Sequence, residues 1–186
     1  MKEEDKSNKI LAGVKHAKKF NSDYYMVVDA DDCISNNIVA FVEKNKHKNE
    51  VGWYINKGYF YREGDKIISL NKENFNTLCG TCLIVKPKFF KGIFQHKPHL
   101  LYVHQTTEFE DGSKMKRLPF PGAIYSMANG ENHYMSGGQM KSLSTGNPFK
   151  WSTIKGIFRK LKKYSVKPLS NKIKSEFGIY ELKATA

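Results

Sequence analysis

Cysteine is scarce in this 186-residue chain. There are three, Cys33, Cys79 and Cys82, an odd number that cannot all pair. Long apolar runs are lacking too: no stretch approaches the ~18–20 residues needed to cross a bilayer, and Met1 to Lys9 is followed by no apolar run of the signal-peptide kind. The expected setting is a reducing cytoplasm, with any membrane contact peripheral and at the inner face. Acidic residues are few towards the C-terminus, where residues 141–186 hold Glu176 and Glu181 against eleven Lys or Arg, giving +9 of the chain's formal net charge of +13. Such an excess predicts an anionic partner, whether a nucleic acid, an anionic membrane surface or a phosphorylated small molecule, and charge alone does not choose among them. Internal repeats of solenoid length and low-complexity tracts are also missing.

What is present argues for one folded domain. Hydrophobic residues make up 40% and aromatics 13% of the chain, enough to build a core at this length. Ile10, Leu11, Val14, Ala17 and Phe20 fall at helical spacing behind Ser7, which predicts an amphipathic helix over Ser7–Phe20 with Ser7 as its N-cap. Tyr24 to Val28 is a short continuous apolar run, read as a strand buried on both faces. Ser35 then caps a second expected helix through Ile38, Val39, Phe41 and Val42. Val51 to Tyr61 and Lys66 to Leu70 read as a hairpin about Arg62-Glu63-Gly64-Asp65, and Cys79 to Val85 as a strand stopped by Pro87. Leu118 to Tyr125, with two prolines, reads as extended. Beyond Gly130 the chain is polar and glycine-rich and reads as a loop or linker over residues 136–150. Trp151, Ile154, Ile157, Phe158 and Leu161 then mark one face of a basic amphipathic helix.

The chemistry concentrates at Asp29-Ala30-Asp31-Asp32, immediately after the first strand. Three carboxylates within four residues repel one another unless a cation, backbone donors or lysines compensate them. A hard divalent cation with oxygen ligands is one solution, and a nucleoside diphosphate supplies the remaining ligands through its phosphates. The plainer reading is a solvated turn in which Asp32 or Ser35 caps the next helix. Cys79-Gly80-Thr81-Cys82 has the spacing of a redox pair or half a zinc site, but no second such pair exists and packing in the core explains it as well.

The run YYMVVDADDCIS (Tyr24 to Ser35), preceded by a helix, resembles the strand and Asp-x-Asp motif of the family 2 glycosyltransferases. LCGTCLIVKP (Leu78 to Pro87) and LPFPGAIYSMANGENHY (Leu118 to Tyr134) are similar to later segments of some bacterial members, so the resemblance covers roughly residues 5 to 135. It implies an α/β fold of the GT-A, nucleotide-diphospho-sugar transferase kind, with a mixed sheet and flanking helices. It also implies metal-dependent transfer of a sugar from a nucleotide-diphosphate donor to a hydroxyl of a glycan or lipid-linked acceptor, in cell-surface polysaccharide synthesis. Asp29, Asp31 and Asp32 would bind the donor, with Mn²⁺ or Mg²⁺ held by Asp29 and Asp31 and by a later histidine, His104 or His133. Asp111, paired with Glu110, would be the general base, with Glu108 and Glu131 behind it. Family members carry a nucleotide-binding strand–helix–strand unit ahead of the motif, whereas fewer than thirty residues precede Asp29 here.

The expected organisation is therefore a partial GT-A domain over residues 1–135 that lacks that unit, a linker over 136–150 and a basic amphipathic helical tail over 151–186, touching membrane through 151–163. The rival expectation is a non-catalytic basic module that binds an anionic membrane or nucleic acid, nucleic acid being the least expected partner.

Overall fold

The computed structural model describes residues 2–95, 99–127 and 163–180. His133, Glu131, the linker at 136–150 and the helix read at 151–161 lie outside the described residues. What is described is a mixed α/β fold with open mixed sheets.

Helix α1 runs over Lys2–Ala17 and tightens into a 3-10 turn over Lys18–Phe20. It starts a turn earlier than the apolar spacing predicts, because Glu3, Glu4 and Asp5 favour its positive N-terminal end. Ser7 is consequently an interior residue rather than the N-cap. It is buried, donates its hydroxyl to the Glu3 carbonyl at 2.7 Å and accepts the Tyr102 amide at 2.9 Å. Ile10, Leu11 and Val14 pack against the main core.

Strand β1 is only Tyr25–Met26, paired antiparallel with β6 (Leu83–Val85). It lies at the edge of a four-stranded sheet whose order is β1, β6, β3 (Gly52–Tyr54) and β9 (Lys116–Arg117). The apolar run therefore forms a half-buried edge strand, not one buried on both faces, and Val28 is exposed. A second sheet has the order β11 (Tyr164–Pro168), β5 (Ile67–Asn71), β4 (Gly58–Arg62), β10 (Ala123–Met127) and β2 (Cys33–Ile34). Strands β7 (Phe94–Gln95) and β8 (Leu101–Tyr102) make a separate two-stranded ribbon.

Residues 51–61, read as one strand, form two strands in different sheets, with Ile55-Asn56-Lys57 as the crossing. The crossing is held by backbone bonds from the Ile55 amide to Cys82 O, from the Phe75 amide to Asn56 O and from the Gly122 amide to Lys57 O. The segment from β9 to β10 runs parallel beside it through both sheets. Arg117 lies opposite Tyr54 but Ile124 opposite Tyr59, so this second segment carries two extra residues across the gap. Pro119 and Pro121 fit that stretch because it needs no ladder donors. The expected hairpin forms between β4 and β5, and Gly64 takes φ +84° in its turn. Gly52 is required at the start of β3, since its φ is +145° and a Cβ there would lie 2.1 Å from the Ile84 carbonyl oxygen.

Helix α2 (Asn37–Asn45) has Asn36, not the expected Ser35, as its N-cap, and the Ser35 hydroxyl one residue earlier accepts the Asn37 amide at 3.2 Å. Helix α3 (Asn171–Phe177) begins at Ser170, whose hydroxyl accepts the Ile173 amide, and ends at Gly178 in the left-handed conformation. Over the described part of the C-terminal region the expected helical tail is a strand followed by a short helix. Tyr164–Pro168 adds to the free edge of β5 as a five-residue antiparallel strand. Alternation of Tyr164 and Val166 with Ser165 and Lys167 suits a strand period better than a helical one. Phe177 of α3 then packs on Tyr59, Ile68 and Ile124 to form a second, smaller core. The main core, around Trp53, Ile55, Phe75, Leu83, Ile93 and Leu118, lies with the four-stranded sheet.

Candidate functional site

The acidic turn sits where the chain leaves the four-stranded sheet for the five-stranded one, between β1 and β2. The Asp32 amide donates to the Asp29 carbonyl at 3.0 Å, closing Asp29-Ala30-Asp31-Asp32 into a tight turn. Its three carboxylates meet three different surroundings.

Asp29 faces α1. Its carboxylate is bridged by the Lys6 ammonium, at 2.6 Å to one oxygen and 2.9 Å to the other, and its amide donates to the Thr81 hydroxyl at 2.9 Å. Gly80 leaves room for this pair, since a Cβ there would stand 3.0 Å from Asp29 Oδ2. Asp32 turns inward. One oxygen accepts the Ser126 amide at 3.2 Å, the other accepts the Cys79 thiol at 3.2 Å, and the Thr81 hydroxyl bonds to it as well. Burial nevertheless pushes its carboxyl above the usual range, because these neutral donors only partly replace lost hydration. Asp31 is exposed and lines an open cleft of about 800 Å³ with Cys33, Tyr61, Lys66, Lys174 and Tyr180.

Cys79, Thr81 and Cys82 are fully buried beneath the turn. Burial pushes both thiols strongly upward, so neither supplies the thiolate that redox chemistry or zinc needs, and all three cysteines are free. The core reading of Cys79-Gly80-Thr81-Cys82 is therefore the one the structure carries. Cys82 donates its thiol to the His104 carbonyl at 3.2 Å, and Tyr102 donates its hydroxyl to the Gly80 carbonyl at 3.2 Å.

His104 stands in this neighbourhood with Nδ1 2.8 Å from the Asn76 carbonyl, which fixes Nδ1 as the protonated nitrogen of the neutral ring. Burial lowers its pKa. Among the described residues no group of three or more His, Cys, Asp or Glu side chains could hold a metal ion. Of the residues expected to hold Mn²⁺ or Mg²⁺, Asp29 is paired with Lys6, Asp31 lines the cleft, and His104 is oriented by Asn76 with Nε2 as its unprotonated nitrogen.

Glu110 and Asp111 are not brought to the acidic turn. They are exposed beside a different cleft of about 590 Å³, formed with Glu108, Lys88, Lys91 and Phe89, which shares no lining residue with the first. Asp111 accepts the Ser113 amide at 2.9 Å, and this bond within its own loop holds its carboxyl below the usual range. Glu108 pairs with Lys114 at 3.0 Å across the same loop. The structure gives Asp111 and Glu108 roles within this loop.

No family model, curated protein or solved structure matches the chain. No helix among the described residues is long and apolar enough to cross a membrane.

Sequence reasoning missed Lys6, Thr81 and Ser126. Lys6 had a signal: with Ile10 and Val14 it continues a stripe at four-residue spacing, and a lysine on an apolar stripe marks a partner waiting on that side. Ser126 had none, because it reaches Asp32 through its backbone amide.

Proposed function

We propose that the chain is part of a GT-A-like glycosyltransferase and binds a nucleoside-diphosphate sugar in the cleft beside the acidic turn, for transfer to a glycan or lipid-linked hydroxyl. The observation that carries this reading is the placement of Asp31 on a cleft that also presents Lys66, Lys174, Tyr61 and Tyr180, with Glu63 and Asp65 at the β4–β5 turn on the same lining. Its volume lies within the range of about 300–1,000 Å³ usual for small-molecule sites. Lysines are point charges for phosphates, tyrosine faces stack on a base or a sugar ring, and a carboxylate accepts sugar or ribose hydroxyls.

Helix α3 and strand β11 matter to this reading, because Leu169, Lys174, Ile179 and Tyr180 form one wall of the cleft. Asp29 and Asp32 then act as the frame, one held by Lys6 and the other by Ser126, Cys79 and Thr81, and Asp31 is the acid of the turn that lines the cleft. The divalent cation expected from the family resemblance is not part of the proposal, and neither is a base role for Asp111 or Glu110, which line the other cleft.

Equilibrium titration of the full chain with a UDP-sugar tests the reading through variants. Asp31→Asn and Lys66→Gln are each expected to weaken binding by about tenfold, the order of a lost hydrogen bond to a charged group. Asp111→Asn is expected to leave it unchanged. Equal affinity in wild type, Asp31→Asn and Lys66→Gln would place the ligand elsewhere and overturn the assignment.

A further inference from the structure

We propose that Glu176 is a positioning residue for the cleft: its carboxylate, held by the Ser35 hydroxyl, clasps the C-terminal segment to the start of α2 and fixes Lys174 and Tyr180 as the wall facing the ligand. The inference rests on the nucleotide-sugar reading above for that ligand, but the clasp itself is tested without one.

The cleft draws its lysines from two supports. Lys66 leads into β5, whereas Lys174 belongs to α3. Lysines that hold one diphosphate together bind it most tightly when their separation is already set. The near end of the C-terminal segment is set by β11, which pairs with β5 over five residues, and by the Leu169 amide, which donates to the Lys66 carbonyl at 2.9 Å. From Ser170 the chain leaves the sheet edge, and a seven-residue helix does not fix its own direction.

The far end is set at Glu176, beside the buried Phe177. Ser35 is buried and donates its hydroxyl to Glu176 Oε1 at 2.7 Å, while the Asn36 amide donates to the Glu176 carbonyl at 3.0 Å. Ser35 is itself held, because its amide donates to the Gly122 carbonyl at 2.9 Å, just ahead of β10. A hydrogen bond to a carboxylate is about twice as strong as one between neutral groups. Beyond Glu176 the chain reverses. Gly178 takes φ +67°, and the amides of Gly178 and Ile179 both donate to the Lys174 carbonyl, which brings Tyr180 onto the same lining as Lys174. The clasp therefore lies between the two wall residues, and releasing it frees both.

Cys33 reports on this wall. It lines the cleft and packs on the core of Tyr59, Ile68, Ile124 and Phe177, as do Ile173 and Ile179. Burial raises its thiol above the usual range. Release of α3 uncovers Cys33 and lowers that barrier to ionisation, and both changes speed its reaction.

The test is the rate at which a thiol reagent modifies Cys33 in the full chain. Glu176→Ala is expected to raise that rate about tenfold, the order of one lost hydrogen bond to a charged group. Glu176→Gln, whose amide oxygen still accepts the Ser35 hydroxyl, is expected to stay within about threefold of wild type. Combining Ser35→Ala with Glu176→Ala is expected to give a rate no higher than that of the faster single variant. UDP affinity is expected to fall about tenfold in Glu176→Ala and to recover in Glu176→Gln. A wild-type Cys33 rate in Glu176→Ala, or a Glu176→Gln protein as fast as Glu176→Ala, would overturn the clasp. So would Cys79 and Cys82 reacting together with Cys33 in Glu176→Ala, since that is general loss of the fold and not a released wall. Unchanged UDP affinity in a Glu176→Ala protein whose Cys33 is fast would overturn the positioning role. If wild type binds no UDP the nucleotide reading fails, while the thiol rates still decide the clasp.

Discussion

At the scale of single residues, the acidic turn shows how one sequence pattern divides among three environments. Asp29, Asp31 and Asp32 look equivalent in the sequence, yet one meets a lysine, one a cleft and one a buried set of neutral donors. The thiols beneath them give a direct check. Cys79 and Cys82 are fully buried, whereas Cys33 is half-buried at the cleft. A thiol reagent applied to the native protein is expected to reach Cys33 alone, with Cys79 and Cys82 reacting only on unfolding. Rapid reaction of two or three thiols would mean that the turn over Cys79-Gly80-Thr81-Cys82 is open.

His104 provides a pH signature at the same scale. Burial lowers its pKa in the folded chain, so between that value and the ordinary imidazole value the unfolded chain binds a proton that the native chain does not. Stability therefore rises with pH through this window, is complete above the ordinary imidazole pKa and is lost as pH falls through it. Denaturation midpoints of wild type and His104→Gln, taken above and below that pKa, are expected to converge on acidification as wild type loses the advantage of its neutral ring. Midpoints that keep a constant difference would show that His104 is not buried neutral.

At the scale of elements, what the sequence made legible were runs whose periodicity is local. The β4–β5 hairpin was readable from Arg62-Glu63-Gly64-Asp65, and α2 from Ser35 and its apolar spacing. The break at Ile55-Asn56-Lys57 was not, because every residue from Val51 to Tyr61 suits a strand and only the pairing with β9 and β10 shows where the chain changes sheet. Strand β11 was hidden for a similar reason: it was read as part of the basic helical tail, but the free edge of β5 decided its conformation. Helix α3 is only seven residues long, so its own propensity cannot hold it and packing must. Phe177→Ala, which empties the centre of the second core, is expected to destabilise the protein by roughly 3 kcal/mol, the usual scale for a buried Phe→Ala change. A denaturant midpoint unchanged by that substitution would show that α3 is not docked on Tyr59, Ile68 and Ile124.

At the scale of the whole molecule, the described chain passes three times from the four-stranded sheet to the five-stranded one, and the candidate site lies at one of these passages. The acidic turn joins β1 to β2, Ile55-Asn56-Lys57 joins β3 to β4, and the proline-containing stretch joins β9 to β10. The acids were legible in the sequence because their spacing is local. The cleft was not, since it draws Asp31, Lys66 and Lys174 from segments far apart in the chain. Nor could the sequence say that Asp111 would be drawn into its own loop, away from the turn.

The central claim is that this cleft takes a nucleoside diphosphate through Asp31 and the flanking lysines. Calorimetric titration of the full chain with UDP, in EDTA and again in Mn²⁺, tests it most directly. The account predicts saturable one-site binding that weakens about tenfold in Asp31→Asn. No binding by wild type would contradict the claim, and retention of the same protein on anionic vesicles would then favour the basic binding module.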